Sequence, residues 1–118
     1  MALQGLGRMK EAEGEFKHAL WWARVRKARL ALFQTSLGEF YLETNLWLNA
    51  INFFQDAQKQ CPEHYRNHYG IAKAQLGLGH LDKAENTPQR ALEDPNLKYE
   101  AKNQILQLLD HVRDRQAE

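Results

Sequence analysis

Three residues near the middle of the chain have the spacing of metal ligands. Cys61, His64 and His68 form a C-x2-H-x3-H pattern, and zinc prefers thiolate and imidazole ligands. If residues 64–68 are helical, the two histidines share one face, because residues four apart lie on the same side of a helix. A closed zinc site needs a fourth ligand, and the sequence nearby offers none. We therefore expect turn and surface residues here, with no metal or cofactor.

Other patterns typical of enzymes are weak. The Gly-Leu-Gly sequence at 77–79 resembles part of a phosphate-binding loop, but such loops follow a strand, whereas this one follows a predicted helix and recurs at 5–7. A repeated turn explains both copies. Cys61 lacks an orienting partner of the kind that activates a nucleophile, and the carboxylates are dispersed. We expect no enzyme activity.

A basic and aromatic segment lies at residues 21–29, with the sequence WWARVRKAR. Two tryptophans next to four cations suit phosphate contacts and base stacking. The same tryptophans also suit packing at the end of a long helix. We favour a structural or protein-facing role, consider nucleic acid an unlikely partner, and keep a helical-repeat nucleic-acid binder using 21–29 as the alternative function.

One pattern recurs three times and indicates how the elements are arranged. Each copy begins with a turn residue and has an alanine five positions after it. Three further positions follow at the same spacing in every copy, the second of them an alanine. The copies are Gly7, Ala12, Phe16, Ala19 and Leu20; Asn45, Ala50, Phe54, Ala57 and Gln58; and Gly79, Ala84, Pro88, Ala91 and Leu92. The first alanines are 38 and then 34 residues apart, and 34 is the length of a tetratricopeptide unit.

The middle copy resembles a tetratricopeptide repeat most closely. Seven of the family's eight signature positions hold a typical residue, and Gln34 stands where the family favours tryptophan. The seven are Leu37, Gly38, Tyr41, Ala50, Phe54, Ala57 and Pro62. The resemblance implies an all-α fold, a right-handed superhelix of antiparallel helix hairpins, and a non-catalytic protein-binding scaffold.

The resemblance also implies one domain over residues 1–118. Residues 1–30 would be a partial first repeat with an extended helix, followed by repeats at 31–64 and 65–97 and a capping helix at 98–118. We predict helices near 8–22, 27–43, 47–60, 64–77, 81–93 and 98–115. Small residues at the repeated alanine positions would let paired helices approach closely.

Two places depart from the repeat. Four extra residues separate the first two copies, and Leu20 to Phe33 contains no glycine or proline. Since four residues make about one helical turn, we expect one of the flanking helices to be a turn longer, with a fused helix from about 10 to 43 as the alternative. Pro88 stands inside a predicted helix, which it either interrupts or, with Asn86 and Thr87 as caps, restarts as its first residue. In both cases the third hairpin should be locally weak.

In tetratricopeptide arrays the first helix of each hairpin lines a concave groove that binds a peptide or helix of a partner. Carried over position by position, the groove residues would be Leu32, Thr35, Glu39 and Leu42 from one repeat and Arg66, Tyr69, Lys73 and Leu76 from the next. The groove would be amphipathic, with one acidic and one basic side. The identity of the protein or peptide partner does not follow from these residues.

The N-terminal end should expose apolar side chains. The chain begins partway through a repeat, which suggests a fragment, so nothing upstream would cover Phe16, Leu20, Trp21 and Trp22. Exposed apolar patches usually mark contacts. We expect this end to be buried in a homodimer, by helices swapped between two copies, or by an upstream repeat. An architectural self-association module is therefore a further alternative function.

Composition places few constraints on function. The net charge is +1, although residues 1–31 hold seven Lys or Arg against three Asp or Glu, and residues 32–64 hold one against four. No apolar run approaches the length of a membrane span. The single cysteine excludes an internal disulfide framework. We expect a cytoplasmic, intracellular protein.

Overall fold

A computed structural model describes the backbone of residues 2–62 and 64–118, and side chains from residue 8 onward except those of Met9 and Glu63. Five α-helices follow one another: α1 Ala2–Glu43, α2 Trp47–Gln60, α3 Tyr65–Gly77, α4 Leu81–Leu92 and α5 Tyr99–Ala117. Within these ranges no residue is in a strand. The predicted all-α class is confirmed.

The length of α1 differs from the sequence prediction. Separate helices at 8–22 and 27–43 were expected, but α1 is continuous over 42 residues, as in the fused alternative. A turn at Gly7 is likewise wrong, because Gly7 lies within α1. The reason is local: the segment from Leu20 to Phe33 holds no helix breaker and is rich in Ala, Arg, Lys and Leu, which favour helix.

The later turns form where the sequence predicts them. Asn45 has φ of 61° and Gly79 has φ of 79°, and this left-handed conformation ends a helix at the lowest energy when glycine or asparagine adopts it. Each residue lets the next helix fold back, so that α2 contacts α1 and α4 contacts α3. Pro62, the predicted break after α2, lies two residues beyond its end at Gln60.

Small residues and one phenylalanine define the core. Ala50, Ala57, Ala72 and Ala84 are all completely buried, as predicted for positions where helices approach closely. Phe54 is also fully buried and packs with Ala50, Ile71 and Ala74. A second cluster joins α3, α4 and α5, and consists of Ala72, Leu76, Ala84, Leu108 and Val112.

Pro88 does not restart the helix. It lies buried inside α4, which runs without a break from Leu81 to Leu92. The preceding residue, Thr87, donates its hydroxyl to Gln75 Oε1 of α3 at 2.9 Å, so it links two helices instead of capping a new one. The backbone N–H that proline lacks is therefore missing from a helix interior.

The molecule is elongated because half of α1 extends beyond the packed helices. The radius of gyration is 20.1 Å and the longest dimension is 79 Å, whereas a compact chain of this length has a radius of gyration of about 13 to 14 Å. Residues 10–24 are all exposed. The packed part comprises the second half of α1 and helices α2 to α5, with α5 closing one end against α3 and α4.

Across residues 2–62 and 64–118, none of the helices has both the length and the apolar composition that a membrane crossing requires.

Candidate functional site

A recess near the predicted groove is lined by residues of α1, α3 and α5. It has a volume of about 400 Å³. Its lining includes Glu39, Leu42, Arg66, Tyr69 and Lys73, five of the eight residues predicted for the groove. The structure therefore brings together side chains of α1 and α3 that are about 30 positions apart in the chain.

An ion pair and a cation over an aromatic ring form the polar wall of this recess. Arg66 Nε donates to Glu39 Oε1 at 3.0 Å, and Arg66 Nη2 contacts the same oxygen. Both side chains remain more than one third exposed, so the pair is screened by water and orients the groups more than it stabilises the fold. The Lys73 ammonium lies 5.2 Å from the centre of the Tyr69 ring.

A second recess of about 350 Å³ continues the first, since Leu42, Glu43 and Lys73 line both. Here the walls are mainly apolar and come from Trp47, Leu76 and Leu108, with His111 and Arg115 at the edge. The two recesses together make one groove, which we call the α1/α3/α5 groove. One half of this groove is polar and the other mainly apolar, and Lys73 lies at the junction.

Two predicted groove residues lie elsewhere. Thr35 is only 2% exposed and donates its hydroxyl to Asn67 Oδ1 at 2.7 Å, so it faces the α1–α3 contact and is unavailable to a ligand. Leu32 is 54% exposed but lines neither recess. The expectation that both residues face the groove is corrected. Leu32 precedes Thr35 by about one turn of α1, and Thr35 already contacts Asn67 in the first turn of α3.

Several lining residues were missed at the sequence level. Gln104, Leu108, His111 and Arg115 come from α5, which the repeat pattern treats only as a cap. The signal was present: on α5 the buried residues Ala101, Ile105, Leu108 and Val112 mark one face, and the positions beside that face necessarily lie at the groove edge.

The two histidines of the C-x2-H-x3-H pattern make hydrogen bonds within the fold. His64 caps α3 by accepting the Arg66 backbone N–H on Nδ1 at 3.3 Å. His68 Nδ1 lies 3.2 Å from Gln58 Nε2. In the described part of the chain no three His, Cys, Asp or Glu side chains are grouped to hold a metal ion.

The protonation of His64 is tied to the groove. Desolvation by surrounding groups, followed by the positive charge of Arg66, lowers the pKa of the His64 imidazole below its ordinary value, while Glu39 opposes the shift. The neutral imidazole is the form whose Nδ1 can accept a hydrogen bond. The cap of α3 is therefore strongest when His64 is neutral.

The exposed half of α1 bears the other candidate residues. Phe16 is 71% exposed, Leu20 58%, Trp21 55% and Trp22 44%, so apolar surface is present where the sequence predicted it. The ring of His18 stacks on that of Trp22, with 6.1 Å between centroids. The cations of residues 24–29 point in different directions around α1, because successive residues are about 100° apart.

Comparison with known proteins gives no family assignment: no protein-family model matches the chain, and no curated protein resembles it significantly.

Proposed function

We propose that this chain is a non-catalytic protein-interaction module of the tetratricopeptide type that binds a peptide or helix of a partner in the α1/α3/α5 groove. The fold part of this proposal is supported by the two hairpins, α1 with α2 and α3 with α4, and by the buried alanines that recur in both. The observation that carries the function is the groove itself, lined by first helices and closed at one side by α5.

The groove chemistry favours an amphipathic ligand with an acidic side chain. Arg66 is already paired with Glu39, whereas Lys73 is exposed and makes no ion pair with a described residue. A carboxylate of a ligand would therefore find its nearest free cation at Lys73. The apolar walls formed by Leu42, Trp47 and Leu76 would accept a large aliphatic or aromatic side chain next to that carboxylate.

Tyr69 and Arg66 are the expected sources of binding energy. Aromatic and arginine side chains dominate hot spots, where truncation costs about 2 kcal/mol or more. Tyr69 is half-buried beneath Lys73, so its ring is held in place before a ligand arrives. Removing both side chains should weaken a groove ligand without unfolding the domain, because neither belongs to the fully buried core.

A peptide selection tests this function. Random peptides displayed on phage would be selected on the whole chain, and the affinities of the selected peptides compared for wild type and Arg66→Ala/Tyr69→Ala. We expect at least about a 30-fold rise in Kd, corresponding to about 2 kcal/mol. Lys102→Ala, an exposed change on α5 outside the groove, is the control. Selected peptides that bind both variants equally would reject the groove as the site.

Nucleic-acid binding through residues 21–29 is the second candidate. Its support is the exposure of Trp21, Trp22 and the neighbouring cations. However, the charges do not form a stripe on one face of α1, as a groove that follows a phosphate backbone requires. A gel shift with generic RNA and DNA that disappears as salt rises would favour this function over peptide binding.

A further inference from the structure

The open side of α1 carries side chains at the spacing of a coiled-coil seam. From Phe16 to Phe40, steps of three and four residues alternate without interruption, and seven of the eight positions are apolar. The positions are Phe16, Ala19, Ala23, Arg26, Leu30, Phe33, Leu37 and Phe40. Such spacing keeps one stripe facing a partner helix along a left-handed supercoil. We call these eight residues the α1 stripe.

The two halves of α1 complement each other but do not meet within one molecule. Ala12, Phe16 and Ala19 repeat the pattern of Ala50, Phe54 and Ala57, and the latter three are completely buried against neighbouring helices. Phe16 has no such neighbour and is 71% exposed. Because α1 is one continuous helix, residues 8–22 cannot fold back onto residues 30–40 of the same chain.

Residues 30–40 have an exposed apolar side against which Phe16 of another copy can pack. One side of this segment packs on α2 and α3 through Ala31, Thr35 and Gly38, while Phe33 and Phe40 on another side are 62% and 56% exposed. An open apolar side at residues 30–40, and a second-helix pattern that no described residue covers, therefore occur on the same helix.

We propose that two copies of the chain pair antiparallel along α1, so that residues 8–22 of each copy cover the open side of residues 30–40 of the other. The six positions of the α1 stripe from Phe16 to Phe33 are symmetric about the midpoint between Arg24 and Val25. In this register Phe16 lies opposite Phe33 of the second copy. Small residues then face large ones, with Ala19 opposite Leu30 and Ala12 opposite Leu37. The interface is self-complementary, as two-fold symmetry requires.

The exposed apolar area is sufficient for a stable pair. Fully burying an aromatic side chain removes about 150 to 250 Å² from water. With the exposures of Phe16, Trp22, Phe33 and Phe40, together with Leu20 and Leu30, each copy offers about 600 Å² on this side. Two copies would bury about 1,200 Å², which reaches the lower limit of the range for specific interfaces.

Charge gives the pair a characteristic salt dependence. Arg24, Arg26, Lys27 and Arg29 of both copies would lie near the two-fold axis, and no acidic residue occurs between Lys17 and Glu39. Their mutual repulsion opposes pairing at low ionic strength and is screened by salt. Dimerisation should therefore become stronger as salt is raised, which is opposite to the salt response of a nucleic-acid complex.

Sedimentation velocity of the whole chain tests the pairing at concentrations from about 1 to 100 μM. We expect a monomer–dimer equilibrium that shifts toward dimer as sodium chloride is raised from about 50 to 500 mM. Phe33→Glu should abolish the dimer, while Leu48→Glu, which removes an equally exposed leucine on α2, should leave it intact. Circular dichroism of both variants must show unchanged helicity for this comparison to count. A monomer under every condition overturns the proposal.

Disulfide trapping tests the antiparallel register separately. In a Cys61→Ser background, Ala19→Cys and Leu30→Cys proteins would be mixed and air-oxidised. The proposed register places these two positions opposite each other, so the mixed disulfide should predominate over either homodimer. Predominant homodisulfides would indicate parallel pairing and contradict the register. Single-tryptophan variants add a further readout, since Trp22 flanks the α1 stripe and should become protected from acrylamide on dimerisation, whereas Trp21 should not.

Discussion

The hydroxyl of Thr35 donates a 2.7 Å hydrogen bond to the amide oxygen of Asn67, and both side chains are buried between α1 and α3. This is a side chain–side chain bond between residues 32 positions apart. The Nδ2 atom of the same amide is buried and finds no partner among the described residues. The Thr35 bond therefore satisfies the amide oxygen of Asn67 and links α1 to α3.

We expect Thr35→Val to destabilise the fold by about 1 to 3 kcal/mol, because it leaves a buried amide oxygen without a donor. Thr35→Ser keeps the hydroxyl and should lose less. Chemical denaturation measures both. The neighbouring hydroxyl of Ser36 is exposed and bonds only within its own helix, so Ser36→Ala should change stability by less than about 0.5 kcal/mol. Equal stabilities for Thr35→Val and wild type would show that water replaces the bond.

The ring of Phe54 packs so close to the backbone of Gly70 that it leaves no room for a side chain there. A Cβ atom at Gly70 would overlap this ring, and a Cβ atom at Gly38 would come within 2.7 Å of it. Since Phe54 is fully buried, the ring cannot move away freely, and Gly70→Ala should cost about 1 to 3 kcal/mol through overpacking.

The matched control for this change is Gly14→Ala. Gly14 lies on exposed α1 with no atom within 4 Å of the added Cβ, so the substitution should stabilise the helix by about 0.5 to 1 kcal/mol. Thermal melts of the two variants should therefore shift in opposite directions. A rise in Tm for Gly70→Ala would contradict the close approach of Phe54 to α3.

Replacing Pro88 should strengthen α4. The proline is buried in a helix interior, where the missing N–H and the ring clash together cost about 3 kcal/mol relative to alanine. Pro88→Ala restores the donor and removes only a small buried volume, so we expect a net gain of about 1 to 2 kcal/mol. Differential scanning calorimetry would detect it as a higher Tm. A lower Tm would mean that packing of the buried proline ring stabilises α4 by more than the missing hydrogen bond destabilises it.

Acid should weaken the start of α3. The pKa of His64 is lowered in the folded protein, so the folded state binds fewer protons at this group than the unfolded state does. The stability that results is fully present above the unfolded value of about 6.5 and is lost as pH falls through the folded value. His64→Asn keeps a capping side chain without titrating. Stability measured from pH 7.5 to 5 should fall more steeply for wild type than for this variant, and parallel curves would refute the assignment.

The sequence predicted the packed hairpins well because their signals are local and mutually consistent. Asn45, Gly79 and Pro62 mark turns that only a few residue types can form, and the alanines between them mark close helix contacts. The bounds predicted for α2, residues 47–60, are those observed.

The errors arise where local and long-range interactions compete. Across residues 23–26 the repeat pattern predicts a turn, whereas the residue types favour helix, and the helix is continuous. Thr35 turned inward because Asn67 offers a partner 32 positions away, which no periodicity reveals. Gln104 and Arg115 escaped prediction because the groove extends beyond the repeat pattern onto α5.

The central claim, that the α1/α3/α5 groove binds a partner peptide, is tested most directly by titrating an isotope-labelled chain with a selected peptide and following backbone amide shifts by NMR. We expect the largest perturbations at Leu42, Tyr69 and Lys73, with little change at residues 12–24. Perturbations concentrated on residues 12–24 or on the outer side of α2, with the groove amides unmoved, would contradict the claim.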